Sequence, residues 1–290
     1  MDNTCVVIVA EMSGLPPILG LSEVGEHRYA VTHPDEPPEG RDVVFSGLLM
    51  GQMLMASDRE SAGTKEVRSI HAIFARAGVY TKPLELSVDS MQAGRTWGSD
   101  TITATQDGKL LSRALVLLNT IDDDLIRHGP ECPADVPAAE ELAPAVGQVF
   151  PAVDWRPVPK EMTVGGVPVT MGWHRLPLAL PSTAAHQAVL TWATCGNVIA
   201  AAMSPHTDKV DVRDAHRSLS TGVIAHTVHF VDSFDTTDWL LIVSAGTSAG
   251  RGRVYGEGSV FTRDGTLVAT FQQDSMVKAA GNALNPARSL

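Results

Sequence analysis

The chain has 290 residues, 44% hydrophobic and 19% charged, enough for one large domain or two smaller ones with sizeable cores. Lys and Arg number 22 against 33 Asp and Glu, a net charge of −11. That balance argues against nucleic acid as a partner, because phosphates call for a basic face. It leaves room for a small anionic ligand held by a local cluster of Arg or Lys.

Read in chain order, the N-terminus "MDNTCVVIVAEM" opens with an acid, and its apolar run covers only residues 5–10, too short for a signal-peptide core. No run approaches the ~20 apolar residues that span a bilayer, so an integral membrane protein is not expected. The three cysteines, Cys5, Cys132 and Cys195, lie far apart, without zinc or redox spacing. Reduced thiols in a cytoplasmic protein, with no metal and no cofactor, are the expectation.

The first helix candidate is "VVFSGLLMGQMLMASD" (43–58), with Leu48, Met50, Met53, Leu54 and Met55 and no proline. It is apolar almost all round, which predicts a buried helix. Strand patterns follow at 67–75, 84–91, 95–106 and 109–119. Residues 127–160 are rich in proline and alanine and weakly periodic, which suits an exposed linker. Taken together, the pattern predicts an N-terminal domain over 1–125, a linker over 126–165 and a C-terminal domain over 166–290.

The second half repeats the scheme. A second apolar helix is predicted over 186–203, with Ala188, Val189, Trp192, Cys195 and Ile199 on roughly one stripe. Strand patterns follow at 222–231, 238–247, 251–262 and 266–278. The hairpins "ITATQDGKLLSRALVLLN" (102–119) and "SVFTRDGTLVATFQQDSM" (259–276) share one template: Thr105, Asp107, Gly108 and Leu110 match Thr262, Asp264, Gly265 and Leu267 at an offset of 157. Asp-Gly between apolar runs is a strong signal for a hairpin with a type I′ turn. Two such hairpins at matching places point to a duplicated domain. A buried helix wrapped by an antiparallel sheet, occurring twice, is the double-hotdog arrangement, an α+β fold whose two sheets join into one.

Within this frame, "HFVDSFDTTDWLLIVSAGTSAGRGRVYGEGSVFTRDGTLVATFQQDSMVK" (229–278) resembles the C-terminal half of the acyl-CoA thioesterase II family. "VFSGLLMGQML" (44–54), "SIHAIFARAG" (69–78) and "GRTW" (94–97) resemble its N-terminal half. The resemblance covers roughly 40–120 and 186–278, and rests on the order of these segments. It implies hydrolysis of fatty acyl-CoA to free acid and CoA, by a water held by an Asp, a Thr and a Gln. The Thr falls on Thr247 and the Gln on Gln273. The Asp position is occupied by Ala225, and Cys195 stands where the family often has an Asp on the helix.

A carboxylate would take the proton of a weakly nucleophilic water, and a base of this kind contributes 10²–10⁴-fold. Three alternatives stay open on the sequence. Another group supplies the base: His226 if a bulge re-aims it, or Asp232, Asp235 or Asp274. Or the protein binds acyl-CoA with impaired hydrolysis. Or it acts on an unusual substrate by a changed mechanism. Ser248, Arg251, Arg253, His226 and His71 are candidate substrate contacts, the two arginines for the CoA phosphates. His226, His229 and His71 otherwise read as core or surface histidines, and Cys195 as an inert small hydrophobe. A hydratase is disfavoured, because no Asp/His motif precedes the helix. The family resemblance also leads us to expect a homo-oligomer.

Overall fold

A computed structural model of the chain describes residues 19–33, 42–145, 153–159, 162–164, 166–210 and 219–279. Cys5 and the apolar run around it lie outside the described residues. The first half contains β1 (Ser22–Gly25), β2 (Arg28–Val31), helix α1 (Ser46–Ser61), β3 (Glu66–Phe74), β4 (Leu84–Ala93), β5 (Trp97–Gln106) and β6 (Lys109–Asn119). The second half contains β7 (Asp154–Pro157), β8 (Met162–Val164), β9 (Val167–Arg175), α2 (Thr183–Thr194), α3 (Asn197–Met203), β10 (Leu219–Phe230), β11 (Leu240–Gly250), β12 (Arg253–Thr262) and β13 (Leu267–Ala279).

All strand pairing is antiparallel, in one 13-stranded sheet of order β1-β2-β4-β5-β6-β3-β10-β13-β12-β11-β9-β7, with β8 on β9. Each half uses the same scheme: the strand after the helix pairs with the last strand of its half. The halves meet where β3 and β10 pair, from Ala225 opposite Ile73 to His229 opposite Ser69. The double hotdog is therefore observed as one continuous sheet holding both helices.

Helix α1 is buried continuously from Gly47 to Ser57, as its all-round apolarity requires. It packs antiparallel on α2 through two glycines one turn apart. A Cβ on Gly47 would stand 2.6 Å from Cys195 Cβ, and one on Gly51 would stand 2.9 Å from the Ala188 carbonyl oxygen. Glycine is needed there so that the two helices can approach this closely.

Three expectations need correction. The predicted helix 186–203 is broken: Gly196 takes φ +97° and starts α3 afresh after α2 ends at Thr194. The two Asp-Gly turns differ. Asp107 and Gly108 both have positive φ, as a type I′ turn demands, whereas around Asp264 only Gly265 does. There Thr262 N–H donates to Thr266 O across a longer loop, and the Asp264 side chain takes the Thr262 hydroxyl instead. Finally, the proline-rich segment is not simply exposed. Ala139 and Val158 pack with Trp173, Trp239, Leu241 and Phe261 in a second apolar cluster. Pro137 O accepts Trp173 Nε1–H at 2.9 Å, and Glu140 pairs with Arg263 at 2.8 Å. Apolar side chains on the outer sheet face hold the segment down despite its weak periodicity.

Candidate functional site

The site is built around Gln273 on β13. In register, Gln273 lies opposite His226 of β10 on one side and Gly256 of β12 on the other. Directly paired residues share a face, and both Gln273 and His226 are buried. A buried amide needs partners. Gln273 Oε1 accepts the Gly196 N–H at 2.8 Å, and Nε2 donates to Ser275 Oγ at 2.9 Å. The helix break thus turns a backbone amide onto the sheet rather than into a helix.

His226 is fully buried on this inner face. Its Nε2 lies 3.1 Å from Thr194 Oγ1, whose hydroxyl donates to the Thr191 carbonyl, and its ring tilts against Phe271 at 5.9 Å. Burial pushes the imidazole down to about 4, so it is uncharged at neutral pH. Cys195, buried at the end of α2, is pushed up to about 12 by the same cause. It is a neutral thiol and a poor nucleophile.

Two strand bulges stand close to Gln273. β10 shifts register between Val223 and Ala225, so Ile224 is an extra residue. β11 shifts between Ala245 and Ser248, which sets Gly246 and Thr247 against Gly256. A bulge re-aims side chains and is a recurrent feature beside active sites. The β11 bulge fits only because its neighbours lack side chains. A Cβ on Gly256 would fall 2.0 Å from the Ala245 carbonyl oxygen, and one on Gly246 2.5 Å from Ala202 Cα in α3.

The structure brings some expected residues together and separates others. His226 and Gln273 share a rung. Thr247 and Ser248 are exposed, and Thr247 lies two strands from Gln273, about 10 Å at normal strand spacing. Ala225 occupies the next rung, opposite Asp274 and Ile73. Asp274 is exposed. Asp232 is engaged by Arg127, and Asp235 accepts the Thr237 N–H. His71 Nδ1 lies 2.7 Å from Thr227 Oγ1, where it ties the two halves together. His229 is exposed. Arg251 and Arg253 are exposed at the β11–β12 turn.

Sequence reasoning missed Gly196, Ser275 and Thr194. Ser275 could have been found: it stands two residues from Gln273 and so on the same face. Gly196 also gave a signal, a glycine in the middle of a helical pattern.

Models of the acyl-CoA thioesterase N-terminal and C-terminal domains match residues 33–119 and 130–277. The chain is 23% identical over 289 residues to mouse acyl-coenzyme A thioesterase 8, covering 90% of this chain and 88% of that one. It is 20% identical to acyl-CoA thioesterase 2 of Haemophilus influenzae, covering 81% of this chain and 87% of the relative. Among solved structures, an acyl-CoA thioesterase II from Mycobacterium marinum superposes with a TM-score of 0.79 at 23% identity, covering 92% of this chain and 98% of that one. That last likeness shows the fold. With both halves matched, the chain belongs to the acyl-CoA thioesterase family.

Proposed function

We propose that the protein hydrolyses fatty acyl-CoA to free fatty acid and CoA, with the attacking water positioned by Gln273 of β13 and by Thr247 of β11 from either side of Gly256, which puts no side chain between them. The observation that carries this reading is Gln273, a buried amide at the level of two strand bulges and tied to the amide of a helix break. One Nε2 hydrogen goes to Ser275, and in this reading the second is given to the water oxygen. The water adds to the thioester carbonyl, the tetrahedral intermediate collapses, and the CoA thiolate leaves. A base must take the water's proton, and its identity stays unassigned.

Free-thiol release from medium- and long-chain acyl-CoA by the full chain tests this. Gln273→Ala should lower kcat roughly 10²-fold, as loss of a positioned hydrogen-bond donor does. Thr247→Ala should lower it as well.

A second reading, an acyl-CoA-binding protein with impaired catalysis, is favoured by one observation. The rung of Gln273 reads Ala72, His226, Gln273, Gly256, with no carboxylate. Binding of acyl-CoA without thiol release at any chain length would select it. We also infer cytoplasmic residence, from the reduced-thiol reading of the cysteines, and a homo-oligomer. The exposed apolar face around Ile73 and Leu115, 54% and 52% accessible, supports the oligomer. Light scattering on the purified chain tests that.

A further inference from the structure

We propose that Ser275 is a further catalytic residue of the site around Gln273, its hydroxyl donating to the carbonyl oxygen of the bound thioester. The proposal deepens the hydrolysis reading and rests on it for the identity of that carbonyl.

The first observation is a buried hydroxyl hydrogen with nowhere to go. Ser275 is 0% exposed on the inner face of β13, between Val223 of β10 and Val254 of β12. Its Oγ accepts Gln273 Nε2–H at 2.9 Å, which leaves the hydroxyl hydrogen to be donated. Among the described residues, nothing accepts it. The other serines and threonines at 0% exposure, Ser57, Ser112, Thr191 and Thr194, each donate to a carboxylate or a backbone carbonyl. A buried donor without an acceptor costs stability that an alanine would not, so an acceptor from outside the chain is the physical complement.

The second observation is access. On the inner face of β10, Phe230, Val228 and His226 are buried, whereas Val223 and Thr221 are only part-buried. Thr221 pairs with Val277, the next inner residue of β13 after Ser275, and Val277 is part-buried as well. Among the described residues, the inner layer therefore opens one rung beyond Ser275. Gln273, Ser275 and Val277 share a face of one strand, because side chains alternate along it. A ligand entering from that end meets Ser275 before it meets Gln273.

The third observation is spacing. A water oxygen has two lone pairs, and one must face the carbonyl carbon to attack it. Gln273 takes the other, so the Ser275 hydrogen belongs to a different oxygen. Gln273 Nε2 and Ser275 Oγ stand 2.9 Å apart. Donors that close can serve a water and a carbonyl held at the roughly 3–3.5 Å of a near-attack pair. The Ser275 hydrogen bond strengthens as the carbonyl oxygen becomes an oxyanion. The hydroxyl keeps its proton throughout and forms no covalent bond.

The test follows free-thiol release from octanoyl-CoA by the full chain, with Ser275→Ala made alone and together with Gln273→Ala, and circular dichroism checking each fold. Ser275→Ala should lower kcat roughly 10²-fold and leave KM near its wild-type value. The same fall should recur in the Gln273→Ala background, because the hydroxyl acts on the carbonyl directly. A fall seen only while Gln273 is present would make Ser275 a support for that amide and overturn the proposal. An unchanged kcat would overturn it and leave hydrolysis standing. A wild type without turnover would end the hydrolysis reading, and calorimetry then decides the contact. It compares the ketone analogue of octanoyl-CoA, with CH2 in place of sulfur, against the same analogue with its C=O reduced to CH2. Tighter binding of the ketone that Ser275→Ala abolishes would sustain the carbonyl contact. Equal binding of the two, or binding of neither, would overturn it.

Discussion

Acidification from pH 7 to pH 5 should destabilise the protein through His226. The ring is fully buried, and burial lowers it from 6.5 to about 4. Below the unfolded value the unfolded chain binds the proton more readily than the native one. The stability from the neutral ring is therefore present above pH 6.5 and is lost as pH falls toward 4. The full shift corresponds to about 3 kcal/mol, of which about 2 kcal/mol is lost by pH 5. For a chain of this size that is a fall in Tm of roughly 4 °C. His33, lowered by its own burial, contributes in the same direction, so the variant comparison isolates His226. Thermal melts followed by circular dichroism, at pH 7 and pH 5, should show the wild type losing more than His226→Gln by that margin. Equal losses in the two proteins would refute a buried neutral imidazole at this position.

Three further outcomes follow from the geometry. Gly51→Val should destabilise by about 1–3 kcal/mol, read in urea melts, because its Cβ would stand 2.9 Å from the Ala188 carbonyl oxygen. Arg251→Gly should raise stability slightly, by about 0.5 kcal/mol, since it relieves a left-handed residue while adding backbone freedom. Ala225→Asp should raise kcat for acyl-CoA about tenfold or more if the β10 bulge carries the new carboxylate to the water. No gain, together with a silent Thr247→Ala, would place the active centre elsewhere.

Much of the fold was legible because each half repeats one pattern. The apolar runs of α1 and α2, and the strands that follow them, declare burial directly. Where the sequence misled, tertiary contacts were responsible. Gly196 breaks a helical pattern because Gln273, 77 residues away, takes its amide. The β11 bulge depends on Gly256 of the neighbouring strand, which no local pattern encodes. The proline-rich segment carries no periodic signal of its own, yet Ala139 is buried because Trp173, Trp239 and Phe261 offer it an apolar face. At the site, Gln273 was legible as a polar residue on an inner strand face. The exposed position of Thr247 and its distance from Gln273 were not, because a bulge of this kind depends on its partner strand.

Positioning a water and accepting its proton are separate steps of the proposed reaction. Gln273, held at Oε1 by the Gly196 N–H, can orient a water through Nε2 without accepting a proton. Proton acceptance is what Ala225 cannot provide, and the neighbouring His226 is neutral, enclosed and weakly basic. Ground-state binding appears in KM, whereas positioning of the water and the base appear in kcat. Restoring a carboxylate at position 225 should therefore move kcat and leave KM near its wild-type value. A change confined to KM would mean that the new carboxylate alters binding and not proton transfer.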